Sequence, residues 1–118
     1  MDNHSRKLLF DVVEAGRSIR TWQAQRNFAD YQSDRLLRRA TEREFEIIGE
    51  ALARLAKHAP DVADQIPEVT RIVAFRNRII HGYDAIDDAT VWGVAQDHLP
   101  ALLAVVEKLL GDGWTDRI

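Results

Sequence analysis

The chain has 118 residues, 46% hydrophobic and 30% charged, with no cysteine. That balance excludes wholesale disorder, and the missing cysteines exclude a disulfide scaffold, a thiolate metal site and a cysteine nucleophile. The net charge of −3 excludes a uniformly cationic surface, yet residues 1–83 hold 14 Lys/Arg against 12 Asp/Glu while residues 84–118 hold 2 against 7.

The periodicity is helical throughout. Over residues 4–26, Leu8, Val12, Ala15, Ile19 and Trp22 form one apolar stripe, the spacing of an amphipathic helix. Asn27 to Ser33 loses the period and is expected to connect. Ser33 or Asp34 is a suitable N-cap for a second helix near 34–58. Its stripe is Leu37, Thr41, Phe45, Ile48, Leu52 and Leu55, widened by Ile47 and Ala51. Arg35, Arg38, Arg39 and Arg43 cluster early in this helix. Glu42, Glu44, Glu46 and Glu50 offset them, several at helical pairing distance, so a salt-bridged face is favoured over an RNA track. Asp61 to Ile66 has room for one turn between Pro60 and Pro67. Pro67 suits the first turn of a third helix, which runs to His81 and stops at Gly82 in the left-handed position. Asp87 or Asp88 opens a fourth helix to residue 110, which Pro100 kinks or splits. These elements predict an all-α, antiparallel bundle of four or five helices. They form a single domain over 1–118, with its core at 5–110 and a loose tail at 111–118. No apolar run approaches the roughly 18 residues that span a membrane, and Met1-Asp2-Asn3-His4 is not a signal peptide. A cytoplasmic protein is therefore expected.

One segment concentrates chemistry: Arg76-Asn77-Arg78-Ile79-Ile80-His81-Gly82-Tyr83. Asn77 and His81 are four apart, so the amide can orient the imidazole. Arg76 sits about 140° round the helix from His81, and its long side chain lets both border one cleft. Histidine takes and returns protons near neutrality. Arginine grips a phosphate with paired hydrogen bonds and stabilises charge developing on it. Together they supply what RNA cleavage without a metal requires: a base for the 2′-hydroxyl, a cation for the phosphorane, and an acid for the leaving 5′-oxygen. The plainer alternative is a helix-end His beside arginines that are solvated or paired with Asp84 or Asp87.

The Arg-x4-His-x-Tyr pattern of Arg76, His81 and Tyr83 resembles the signature of HEPN-domain proteins, and most closely that of HepT-like ribonuclease toxins. Glu46-Ile47-Ile48-Gly49-Glu50-Ala51 is similar to that family's central-helix motif. Ile86-Asp87, Val91-Trp92 and Leu99-Pro100 are similar to its last helix. The chain departs from the family pattern at Glu68, where Trp is common, and at Asp84, where an aromatic is common.

The resemblance implies an all-α HEPN bundle that forms a homodimer with a composite cleft. It implies a metal-independent endoribonuclease toxin of a type VII (HepT/MntA-like) toxin–antitoxin system, with RNA as substrate and no metal or cofactor. Arg76 and His81 would be catalytic and Asn77 supporting. The partner would be a minimal nucleotidyltransferase antitoxin, MntA-like, that silences the toxin by AMPylation of Tyr83. The alternative is a catalytically inactive HEPN interaction module docking that nucleotidyltransferase. Other residues are expected to be structural. His4, His58 and His98 are read as surface or cap residues, and Trp22, Trp92 and Trp114 as core or interface anchors. Gly111-Asp112-Gly113 is read as a helix stop, and Glu50 as an arginine's partner buried near the cleft.

Overall fold

Asp2 accepts a hydrogen bond from the Ser5 backbone N–H at 2.8 Å and so opens α1, Asn3–Gln23. In the computed structural model, which describes residues 1–82 and 86–111, six further helices follow. They are α2 (Phe28–Ser33), α3 (Arg35–His58), α4 (Pro60–Ala63), α5 (Val69–His81), α6 (Asp88–Asp97) and α7 (Leu99–Leu110). Among the described residues there is no strand, and no single helix is long and apolar enough to cross a membrane.

The apolar stripes of α1, α3 and α7 meet in one core. Leu9, Val12, Val13 and Ile19 of α1, Ile48, Leu52 and Leu55 of α3 and Val106 of α7 are all buried in it. Two end-to-end ties show the antiparallel arrangement. Asp2, at the start of α1, bonds His58 at the end of α3 at 2.7 Å. Arg6 reaches back to the Leu110 carbonyl at 3.1 Å, joining the start of α1 to the end of α7. At Gly16 the α7 helix packs closely, since a Cβ there would lie 2.5 Å from a Leu103 methyl.

The all-α bundle is as the sequence predicts, with more breaks than four or five helices allow. The stretch expected to connect, Asn27 to Ser33, closes into α2. There Asn27 and Asp30 form a capping box, each side chain accepting from the other's backbone N–H at 2.9 Å. Two such bonds satisfy donors that a short helix otherwise leaves open. The short helix buries Tyr31, whose ring lies 5.4 Å from that of Trp92. The last helix splits into α6 and α7 with a bend of 44°. Pro100 falls in the first turn of α7, where its missing N–H removes no helical bond. The third helix starts at Val69, two residues after Pro67, because Glu68 adopts a left-handed backbone at φ 66°. That conformation costs on the order of 1 kcal/mol. The Glu68 carboxylate ties down both Arg71, at 2.7 Å, and His98, at 3.3 Å. Gly82 is not left-handed as expected: it sits at φ −118°. Its N–H still closes the helix onto the Arg78 carbonyl at 2.9 Å.

Asp34 is the N-cap of α3, accepting from the Leu37 N–H at 3.0 Å. Asp34→Ala is expected to cost about 1 kcal/mol of stability, read as a lower denaturation midpoint with no change in the helix bearing His81.

Candidate active site

The helix α5 carries the chemistry, and its rotation about its own axis is set by two buried rings. Phe75 packs edge-on against Phe45 of α3, with ring centroids 5.1 Å apart. Ile79, one turn later, is also buried. With that face turned inward, the adjacent residue Arg76 falls on Gly49 of α3. The approach leaves no room for a side chain there: a Cβ on Gly49 would lie 2.6 Å from Arg76 Cγ and closer still to its Cβ.

The Arg76 stem is thus pressed between helices, and its side chain is only 17% exposed. Arg76 Nη1 donates to Glu50 Oε2 at 2.6 Å. The other carboxylate oxygen of Glu50 accepts from Arg54 Nε at 2.9 Å. Hydrogen bonding from Arg54, with the positive charges of Arg54 and Arg76, holds the Glu50 carboxyl below its ordinary range. Glu50 is therefore an anion at neutral pH. Arg76 Nε is enclosed without an acceptor. The donors left for an incoming anion are the second Nη1 proton and those of Nη2.

Asn77 and His81 are both exposed. Among the described residues no hydrogen bond joins them, so in this structure the Asn77 amide does not orient the imidazole. Tyr83, Asp84 and Trp114 lie outside the described residues. A cavity of about 390 Å³ opens on another flank of α5, between Phe45, Phe75, Val94 and Leu102, with Arg71 and Arg78 at its edge. Arg76, Asn77 and His81 do not line it. Asn77 and His81 face solvent, while the Arg76 side chain is mostly covered.

Glu50 was the residue whose setting the sequence described least well. It does partner an arginine, as expected, but its side chain is 47% exposed, not buried. Helical spacing reveals pairs three or four apart, and Glu50 and Arg76 are 26 apart. The Gly49-Glu50 dipeptide was the available signal: a helix-interior glycine marks a close approach.

Three of the four arginines early in α3 are salt-bridged. Arg39 pairs with Glu42 at 3.7 Å, Arg43 with Glu46 at 3.2 Å and Arg38 with Asp88 at 3.8 Å. His4 lies edge-on to His58 at 4.5 Å, and His98 stands at the start of α7. Among the described residues no group of three or more His, Cys, Asp or Glu is placed to hold a metal. Trp92 is buried, Trp22 half-buried.

The arrangement puts on one helix an exposed imidazole, an exposed amide, and a guanidinium anchored at one end with donors to spare. The family model described as "Ribonuclease HepT-like" matches residues 12–109. The chain is 29% identical to "Probable ribonuclease HepT" of Thermococcus cleftensis, over 92% of this chain and 98% of that protein. It is 26% identical to a protein of Methanocaldococcus jannaschii named as a candidate RNase, over 88% of this chain and 85% of that one. No solved structure matches significantly.

Proposed function

Because the chain belongs to the HepT-like ribonuclease family, we propose that it is an endoribonuclease that cleaves RNA without a metal, using His81 for proton transfer and Arg76 as phosphate clamp. The observation that carries this reading is the contrast within α5. The guanidinium of Arg76 is anchored and mostly covered, while the imidazole of His81 is open to solvent. A clamp benefits from rigidity and a proton carrier from access to substrate.

In this reading an imidazole accepts the 2′-hydroxyl proton as the 2′-oxygen attacks phosphorus. Arg76 donates to the non-bridging oxygens, where negative charge grows. An imidazolium then protonates the departing 5′-oxygen, leaving a 2′,3′-cyclic phosphate and a 5′-hydroxyl. The attacking and leaving oxygens lie in line on opposite sides of phosphorus. One His per chain serves only one side, so two copies related by a two-fold axis supply both imidazoles to a shared cleft. Asn77 supports the site by hydrogen bonding to RNA or to His81 once substrate is bound.

Silencing follows from the same chemistry. The resemblance to HepT-like toxins supports a type VII toxin–antitoxin pair, in which an MntA-like nucleotidyltransferase transfers AMP from ATP to the Tyr83 hydroxyl and releases pyrophosphate. The added phosphate and nucleoside place negative charge and bulk two residues from His81, where RNA phosphate must sit.

The test uses the purified chain alone on single-stranded RNA, with EDTA present. Fragments ending in cyclic phosphate are expected, and Arg76→Ala should lower the cleavage rate about 10²–10³-fold. Absence of cleavage by the wild-type chain would leave the alternative, a HEPN module that docks the nucleotidyltransferase without acting on RNA.

A further inference from the structure

The reading of Arg76 as a phosphate clamp raises the question of what aims its guanidinium. Gly49 fixes where the stem lies but not how the planar head is turned, since the outer torsions of an arginine are free to rotate. The buried Nε makes no bond that would fix it. The head has one strong contact, the 2.6 Å bond from Nη1 to Glu50 Oε2. Glu50 itself is half-exposed and by ordinary expectation mobile, yet its second oxygen is occupied by Arg54 Nε at 2.9 Å. A carboxylate held at both oxygens cannot rotate without losing a charge-assisted bond.

Resting on the proposed function, we propose that Glu50 is the positioning residue of the nuclease: its carboxylate, braced by Arg54, turns the Arg76 guanidinium so that its remaining Nη protons face the scissile phosphate. Glu50 touches no substrate atom and carries no proton in the reaction. Its negative charge also keeps two arginines from gripping RNA in competing poses. Removing it frees both cations, so affinity for RNA is retained or rises while productive alignment is lost.

The experiment compares wild type, Glu50→Gln, Arg76→Ala and the double variant Arg76→Ala/Glu50→Gln under steady-state RNA cleavage. Glu50→Gln is expected to lower kcat by about 10- to 100-fold, the scale of an alignment error near 1 Å, with KM unchanged or lower. Millimolar guanidinium chloride, added as a detached guanidinium, is expected to restore part of the activity of Arg76→Ala but none in the double variant. A carboxylate that merely stabilises the fold predicts equal rescue in both backgrounds, and that result overturns the inference. So does a Glu50→Gln enzyme with wild-type kcat, or one whose KM alone rises. A single cooperative unfolding transition in each variant establishes that all of them are folded. A wild-type chain that cleaves no RNA sinks the nuclease reading and this inference together. An active wild type with an indifferent Glu50 sinks only the inference.

Discussion

His81→Ala is expected to lower kcat/KM for RNA cleavage by about 10²–10⁴-fold, the usual worth of a positioned general acid/base. The fold should be untouched. His81 is the last residue of α5, exposed, and its backbone bonds do not depend on the ring. The inward residues nearby are Phe75 and Ile79, which remain. Loss of activity without loss of stability is therefore the discriminating pattern. It is read by pairing cleavage rates with denaturant unfolding of the same preparation. RNA binding should survive, because Arg76 and Glu50 are unaltered. If His81→Ala cuts RNA at the wild-type rate, the imidazole has no role in proton transfer and the mechanism proposed above is wrong.

Gly49→Ala should damage both stability and activity, although it adds a single methyl group. The new Cβ would meet Cβ and Cγ of Arg76, atoms next to the α5 backbone. Those atoms cannot swing aside like the tip of a side chain, so α5 must lift from α3. Overpacking of this kind costs about 1–3 kcal/mol. The shift also carries Arg76 away from Glu50, and a displacement near 1 Å is worth about 10²-fold in rate. Gly16→Ala is the matched control. Its added Cβ would meet the branched end of Leu103, nearest the Cδ2 methyl at 2.5 Å, and a rotamer change can relieve much of that. Unfolding curves and cleavage rates for the two variants should separate. Gly49→Ala should lose more stability and much more activity. Equal effects, or a wild-type Gly49→Ala, would show that the α3–α5 approach is not tight.

The long helices were legible because burial has a period. The stripe Leu37, Thr41, Phe45, Ile48, Leu52 and Leu55 is buried along its whole length, as are Leu8, Val12, Ala15 and Ile19. Short elements were less legible. A capping box at Asn27 and Asp30 closes a six-residue helix that has too few turns to display a period. The left-handed turn at Glu68 defeats propensity altogether, because side-chain anchors to Arg71 and His98 hold a backbone that glutamate disfavours.

The amino-acid order alone determined an all-helical chain and gathered Arg76, Asn77 and His81 on one helix, since apolar periodicity and residue spacing are local properties. Only the tertiary structure decided that Arg76 is pressed onto Gly49 and bound to Glu50, while Asn77 and His81 stay in solvent. Those outcomes depend on how closely α5 approaches α3 and which way it is rolled. The packing of Phe45 on Phe75 settles that roll, between residues that no helical period connects.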